Sequence, residues 1–184
     1  MFRDGPLSRR PPEAIRYGTG KCALGRLLVA EGDKGLVTIM VRAEVEHLLK
    51  ELRRRFPKAE LVRDEPGCRE IVAKVVRYIN APAGRFPLPL DLRGTELQKR
   101  VWSEVRRIPF GETSTYAKIA AAIGSPKAIR AVAGACSRSW FAFAVPCHRV
   151  LHSGSEKAGR RANPDGVQYR WADYEARLRA RRSV

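Results

Sequence analysis

A cysteine followed directly by a histidine, Cys147 and His148, is the pair in this sequence best suited to chemistry. An unperturbed thiol has a pKa of about 8.5, so it needs a neighbouring base to become a nucleophile near neutral pH. Adjacent residues of a strand point to opposite sides, so contact between these two requires a turn or a bridging water. The alternatives are a nucleophilic thiol with a histidine base, or an inert buried cysteine beside a surface histidine.

Bulky apolar residues alternate just before this pair, namely Phe141, Phe143 and Val145. The alternation predicts a buried strand, and Pro146 would end it because proline lacks a backbone N–H. We therefore expect Cys147 on the floor of a pocket, where a strand ends and a turn begins.

Metal binding is the other chemistry that these residue types offer. A site built from Cys147, His148 and His152 lacks a fourth ligand. The four cysteines of the chain lie far apart, without a CxxC pair, which favours reduced thiols over a disulfide scaffold or a zinc ribbon. We expect no metal and no other cofactor.

Two short helices are predicted at residues 111–124 and 125–138, with the spacing of a helix-turn-helix. Gly124 would end the first helix, and Ser125 and Pro126 suit the first turn of the second. Helical spacing predicts four core-facing residues in the second helix, which are Ile129, Val132, Ala133 and Cys136.

The opposite face of this second helix has almost no side chains, since it consists of Ala128, Ala131, Gly134 and Ala135. The basic residues that flank it are Lys127, Arg130 and Arg138. So thin a face suits the minor groove of DNA, which is about 6 Å wide, whereas a major-groove reader carries long polar side chains. The alternative is close packing against another helix of the same protein.

The charge of the chain favours a polyanionic partner. Its 36 Lys and Arg residues exceed its 19 Asp and Glu residues by 17, which points to nucleic acid first and to an anionic membrane second. No stretch of 18 apolar residues occurs, and the N-terminus lacks the apolar core of a signal peptide. We expect a soluble, cytoplasmic, monomeric protein that does not enter a membrane.

Three segments are expected along the chain. Residues 1–13 read as a flexible basic arm. Residues 14–90 predict a small α/β lobe, with an antiparallel meander of three strands followed by two helices. Residues 91–184 predict a mostly helical DNA-binding domain, whose start falls at the end of the proline-rich connector, 81–92. The fold class is therefore α/β in the α+β sense.

The sequence PCHRV, from Pro146 to Val150, resembles the active-site motif of the O6-alkylguanine-DNA alkyltransferases. These repair proteins move an alkyl group from guanine O6 to their own cysteine. The resemblance covers residues 14–151 and is especially close to the C-terminal part of Ada-type bacterial proteins. Its other matching segments are IRY (15–17), LPLDLRGT (88–95), VW (101–102), IPFGET (108–113) and SPKAIRAVAGAC (125–136).

The resemblance implies a role for individual residues. Cys147 would accept the alkyl group, and His148 would activate it through a water molecule. Tyr116 would crowd the 3′ phosphate and help to rotate the nucleotide out of the duplex, while Arg130 would fill the gap in the base stack. Carbonyl groups near Cys147 and Val150 would recognise the guanine. No cosubstrate is implied, because the thiol itself is consumed.

This sequence departs from the family pattern around the acceptor. Ser139 replaces a hinge asparagine, and a hydroxyl bridges fewer backbone groups than an amide does. The YRW segment that would close the pocket, with Tyr169 and Arg170, comes about nine residues late, after a long basic loop at 153–166 expected to be mobile. Glu175 is only near the position of the family's histidine-orienting carboxylate.

The remaining site residues implied by the resemblance are few. The substrate pocket would be formed by Tyr116, Pro146, Val150, Tyr169 and Arg170. Ser139 and Arg149 would support the structure of the site. The implied activity is stoichiometric repair of O6-alkylguanine, with O4-alkylthymine as a second substrate. The alternatives are a lesion binder that does not transfer, and an Ada-like transcriptional regulator.

Overall fold

The computed structural model describes residues 12–153 and 167–182. Its larger sheet has the strand order β3-β2-β1-β4. The first three strands form an antiparallel meander, and β4 pairs in parallel with β1. The strands are β1 (Ala14–Cys22), β2 (Gly25–Gly32), β3 (Gly35–Arg42) and β4 (Glu60–Arg63). The meander confirms the sequence-based prediction, whereas β4 was not expected.

Both faces of this sheet are covered, because successive residues of a strand point to opposite sides. Leu28 of β2 packs with Leu48 and Leu52 of helix α1 (Val45–Arg55) on one face. On the other face, Leu27 packs in a larger core with helix α2 (Glu65–Asn80) and with the helices that follow it. The sheet therefore serves as the support on which the second half of the chain rests.

The rest of the chain is mainly helical, as predicted. Thr95 and Gln98 form a reciprocal cap at the start of the third helix, which explains why the helix begins there. The remaining helices are α3 (Glu96–Val105), α4 (Tyr116–Ala122), α5 (Ile129–Ser137) and α6 (Val167–Arg182). Two short strands, β5 (Ser114–Thr115) and β6 (Val150–Leu151), pair in parallel. The mixed α+β fold class is thereby confirmed.

The start of α5 differs from the prediction. The backbone N–H of Ala128 donates to the carbonyl of Ser125 at 2.9 Å, so that these residues form a turn and the helix begins at Ile129. Ser125 and Pro126 therefore do not start the helix. The buried face also differs from the expected one at two residues: Ile129 is 42% exposed, whereas Ala135 is buried. The reading of α4 and α5 as a DNA-binding helix-turn-helix stays a prediction.

The segment before Cys147 is also different, since it folds into turns and not into a strand. Phe143 has a positive φ of 60°, and the N–H of Val145 donates to the carbonyl of Phe141 at 3.1 Å. Residues 141–150 are all buried. Alternation of bulky residues therefore did not mark an inner and an outer face, because this segment has no outer face.

Several predictions fall on other parts of the chain. Residues 1–11 of the expected basic arm and residues 154–166 of the expected long loop lie outside the described residues. The boundary proposed near residue 90 stays a prediction. Within the described ranges, no helix is both long and apolar enough to span a bilayer.

Candidate active site

Cys147 lies in a short 3₁₀ turn, Cys147–Arg149, rather than at the end of a strand. The preceding segment is attached to β3, where the N–H of Ile39 donates to the carbonyl of Trp140 at 2.9 Å. On the other side, Val150 is buried and pairs with β5. A turn anchored at both ends holds the thiol and the imidazole of the adjacent His148 in fixed positions inside the protein.

The Cys147 side chain is set up as a neutral thiol. Hydrogen bonding with the thiol of Cys136 raises the pKa of Cys147 well above its ordinary value, and burial raises it further. The hydroxyl of Ser139 lowers this pKa, although its Oγ has no hydrogen bond of ordinary geometry. Cys147 is 3% exposed. A base is therefore needed before this sulfur can react.

His148 is buried and lies against a carboxylate of α6. Its Nε2 lies 2.9 Å from Oε1 of Glu175, which is itself buried, although the ring N–H is not well aligned with that oxygen. The other ring nitrogen, Nδ1, is buried and has no hydrogen-bond partner among the described residues. The structure thus supplies Glu175 as the carboxylate beside the histidine, which the sequence offered only as a nearby candidate.

Arg149 holds this carboxylate in place. Its Nε and Nη2 donate to Oε2 and Oε1 of Glu175 at 3.0 and 2.6 Å, and its Nη1 donates to the carbonyl of Ile108 at 2.7 Å. Burial raises the pKa of Glu175, but the close approach of His148, the hydrogen bonds from Arg149 and the charges of both outweigh burial and lower this pKa to about 2. Glu175 is therefore ionised at neutral pH.

Aromatic rings close the side of the site that faces α6. The Phe143 ring lies 4.9 Å from that of Trp171 and 5.4 Å from that of His148, measured between ring centres. These rings keep the imidazole and its carboxylate in an apolar environment. Tyr169 and Arg170 belong to the same helix as Trp171, but their side chains lie outside the described part, so their place in a pocket stays a prediction.

Tyr116 is the first residue of α4, which is capped where the Thr115 hydroxyl accepts from the N–H of Lys118 at 3.1 Å. Burial raises the pKa of Tyr116 to about 12, with smaller contributions from Cys136 and Cys147. The structure thus places the Tyr116 phenol near the Cys147 thiol and keeps the phenol protonated. Pro146, also assigned to the pocket, is buried immediately before that thiol.

The outer surface of α5 is basic, with Lys127, Arg130, Ala131 and Arg138 exposed and Ala128 and Gly134 half-buried. On its inner side the indole N–H of Trp102 donates to the carbonyl of Ala135 at 2.9 Å. The exposed face of small residues on α5 is therefore narrower than predicted, because Ala135 is not part of it. In the described part of the chain, no group of three or more His, Cys, Asp or Glu residues could hold a metal ion.

Sequence comparisons place this arrangement in a known family. Residues 15–92 match the ribonuclease-like domain, and residues 96–175 the DNA binding domain, of 6-O-methylguanine DNA methyltransferase. A constitutive methylated-DNA--protein-cysteine methyltransferase of Bacillus subtilis is 36% identical over 143 residues, which cover 78% of this chain and 84% of that protein. The chain belongs to the 6-O-methylguanine DNA methyltransferase family.

Among its relatives, this chain is similar to part of a longer protein and to most of a solved structure. The bifunctional transcriptional activator/DNA repair enzyme Ada of Escherichia coli is 40% identical over 148 residues, which are 80% of this chain but only 42% of that protein. The crystal structure of Mycobacterium tuberculosis O6-methylguanine methyltransferase is 29% identical and superimposes with a TM-score of 0.65 over 86% of this chain and 89% of that one.

Glu175→Gln is expected to destabilise the protein by about 3 kcal/mol at pH 7, because it leaves the Arg149 guanidinium buried without a counter-charge. The pKa of Glu175 is lowered from 4.5 to about 2 in the folded protein, so its stabilising contribution is present above about pH 4.5 and is lost as the pH falls towards about 2. Urea unfolding at several pH values should show the difference between wild type and variant shrinking below pH 4.5.

Glu104→Gln is the matched control. Glu104 pairs with the exposed Arg107 at 3.0 Å on the surface, and loss of such a pair costs less than about 1 kcal/mol. Equal destabilisation by the two substitutions would mean that the Glu175 pair contributes no more than a surface ion pair.

Proposed function

We propose that this protein repairs DNA by transferring the alkyl group, typically methyl, from O6-alkylguanine to its own Cys147. It would act once per molecule, as a methylated-DNA--[protein]-cysteine S-methyltransferase, with O4-alkylthymine as a second substrate class. The observation that carries the proposal is the buried Cys147 thiol directly followed by His148, whose Nε2 lies 2.9 Å from Glu175. Family membership supports the same activity.

In the proposed reaction the thiol must first lose its proton. The unpartnered Nδ1 of His148 takes it through a bridging water, and the ionised Glu175 stabilises the resulting imidazolium. The sulfur then forms a bond to the alkyl carbon while the bond from that carbon to O6 breaks. The electron pair of the broken bond stays with guanine, which takes up a proton. The thioether left on Cys147 cannot return to a thiol, so the protein is used once.

The proposed partner is double-stranded DNA, approached from the minor groove. Mycobacterium tuberculosis OGT, solved in complex with DNA, is 28% identical and superimposes with a TM-score of 0.68 over 87% of this chain. The net charge of +17 and the basic surface of α5 suit a phosphate backbone. Because Cys147 is buried, the guanine must leave the base stack to reach it.

The decisive experiment is intact-mass measurement after incubation with duplex DNA containing O6-methylguanine. We expect one added methyl group per protein molecule, located on Cys147 by peptide mapping. Binding without any gain in mass would favour the alternative of a lesion binder that does not transfer.

An Ada-like regulatory role is a second candidate. It is favoured by the 40% identity to the Escherichia coli protein whose name includes transcriptional activation. A change in the affinity of this chain for promoter DNA after its alkylation would support the regulatory role. Unchanged affinity for promoter DNA would exclude that role.

The setting of the reaction follows from its chemistry. The acceptor must be a reduced thiol, and all four cysteines of the chain are free. We therefore place the reaction in the cytoplasm, where thiols stay reduced, and assign it to a monomer, because each molecule carries its own acceptor and base.

Arg130→Ala is expected to impair repair of duplex DNA far more than reaction with free O6-benzylguanine. Arg130 projects from the exposed side of α5, and in the proposed role it fills the space left by a flipped nucleotide. Flipping costs a few kcal/mol in duplex and nothing for a free base. Single-turnover rates with both substrates measure the difference.

Lys127→Ala is the control, as another exposed cation just before the same helix. If Lys127 only contacts a phosphate, Lys127→Ala should weaken binding to all DNA alike. It should also reduce the slope of log affinity against log salt concentration by about one. Equal losses on duplex and free base in Arg130→Ala would assign Arg130 to the fold or the pocket instead.

A further inference from the structure

A cavity borders the turn that carries Cys147. Its volume is about 150 Å³, and Ala144 and Pro146 form part of its wall. Four arginines line it, which are Arg85, Arg106, Arg107 and Arg149. No aspartate or glutamate is among its described lining residues.

Two of these arginines have no counter-charge. Arg107 pairs with Glu104 and Arg149 with Glu175, whereas neither Arg85 nor Arg106 forms an ion pair with another described residue. Arg106 is half-buried at the end of α3. Burial lowers the pKa of the Arg106 guanidinium, and the positive charge of Arg85 lowers it further. Two close cations in a partly enclosed space repel each other unless an anion lies between them.

The cavity lining also contains neutral hydrogen-bond donors. The hydroxyl groups of Tyr78 and Ser103 belong to its lining. Burial raises the pKa of Tyr78, so its phenol keeps its proton. The Tyr78 hydroxyl donates to the carbonyl of Gly84 over a long distance of 3.3 Å, and a stronger acceptor can compete for this donor.

We propose that this cavity binds a phosphate group between Arg85 and Arg106. Guanidinium groups bind phosphate through two parallel hydrogen bonds, and paired cations favour a dianion. Sites for larger ligands typically exceed roughly 300 Å³, so a cavity of about 150 Å³ suits a single phosphate group. A phosphate bound there would touch Pro146 and so support the acceptor turn.

Calorimetric titration of the full chain with inorganic phosphate, at constant ionic strength, tests the proposal. We expect saturable binding to one site, weakened about tenfold or more by Arg85→Gln or Arg106→Gln, since each removes a charged hydrogen-bond donor. Arg85 is exposed, so its variant should fold even if the Arg106 variant does not. Arg69→Gln makes the same charge change on the exposed side of α2, and the phosphate affinity of this variant should stay within about twofold of wild type.

A second titration, with unmodified duplex DNA, identifies the source of the phosphate. Competition by inorganic phosphate, with a larger loss in Arg85→Gln than in Arg69→Gln, assigns the site to a backbone phosphate of DNA. Equal DNA affinities of the two variants assign it to free phosphate. Absence of saturable phosphate binding by the wild type, or equal weakening in Arg69→Gln, overturns the proposal. Neither titration involves alkyl transfer, so this result is independent of the proposed repair activity.

Discussion

Cys147→Ser is expected to abolish methyl transfer while leaving affinity for duplex DNA within about twofold of wild type. A serine hydroxyl in this buried position is a far weaker nucleophile than a thiolate, and His148 cannot generate enough alkoxide to compensate. The side chain contributes little to DNA binding because Cys147 is only 3% exposed. Radiolabel transfer and DNA titration measure the two effects separately.

Cys136→Ala is the matched control for this substitution. Cys136 is also fully buried, and its thiol hydrogen-bonds with that of Cys147. Its removal takes away a contact that raises the pKa of the acceptor, so transfer should continue. Methylated protein obtained from Cys147→Ser, or loss of transfer in a folded Cys136→Ala, would assign the acceptor role to a different residue.

His148→Ala is expected to slow single-turnover transfer by roughly 10² or more, the usual effect of losing a general base. The pKa of Cys147 is raised by Cys136 and by burial, so without the imidazole the thiol loses its proton only to hydroxide or solvent. The rate of the variant should therefore keep rising with pH above neutrality. Quenched-flow measurements of transfer across a pH series give both the rate and the profile.

His47→Ala serves as the control for loss of an imidazole. This histidine is on α1, has a side chain that is 70% exposed, and pairs with Glu44. Its variant should transfer at the wild-type rate. A merely structural role for His148 would lower the rate without changing its dependence on pH, and that outcome would exclude His148 as the base.

Local patterns predicted most of the fold. Glycine-separated β-favouring runs gave the meander, with Gly25 and Gly35 at positive φ after its two turns, and helical spacing gave α1 to α5 to within a few residues. Strand β4 was missed because its four residues are mostly exposed and carry no alternation. The pairing of β4 with β1 depends on where α1 directs the chain. That direction cannot be predicted from the residues of β4 alone.

Two local predictions, of a helix start and of a strand, were wrong. Ser125 and Pro126 have the right types for a helix start, and Phe141 to Val145 have the right alternation for a strand. In the folded protein, the first pair forms a turn before α5, and the second segment lies buried on every side against β3 and α6. At Phe141 to Val145, tertiary packing outweighs the strand preference because burial of a large side chain is worth more than one local propensity.

The candidate chemistry of this protein could be predicted from its residues alone: a thiol and an imidazole in adjacent positions, a basic chain, and motifs shared with DNA alkyltransferases. The groups that surround this thiol and its neighbouring imidazole became visible only in the folded protein. Glu175 is 26 residues from Arg149 and on a different helix, yet it contacts both Arg149 and His148, and Cys136 reaches the acceptor from α5. Such contacts depend on how helices dock across the core, which no spacing within a single segment encodes.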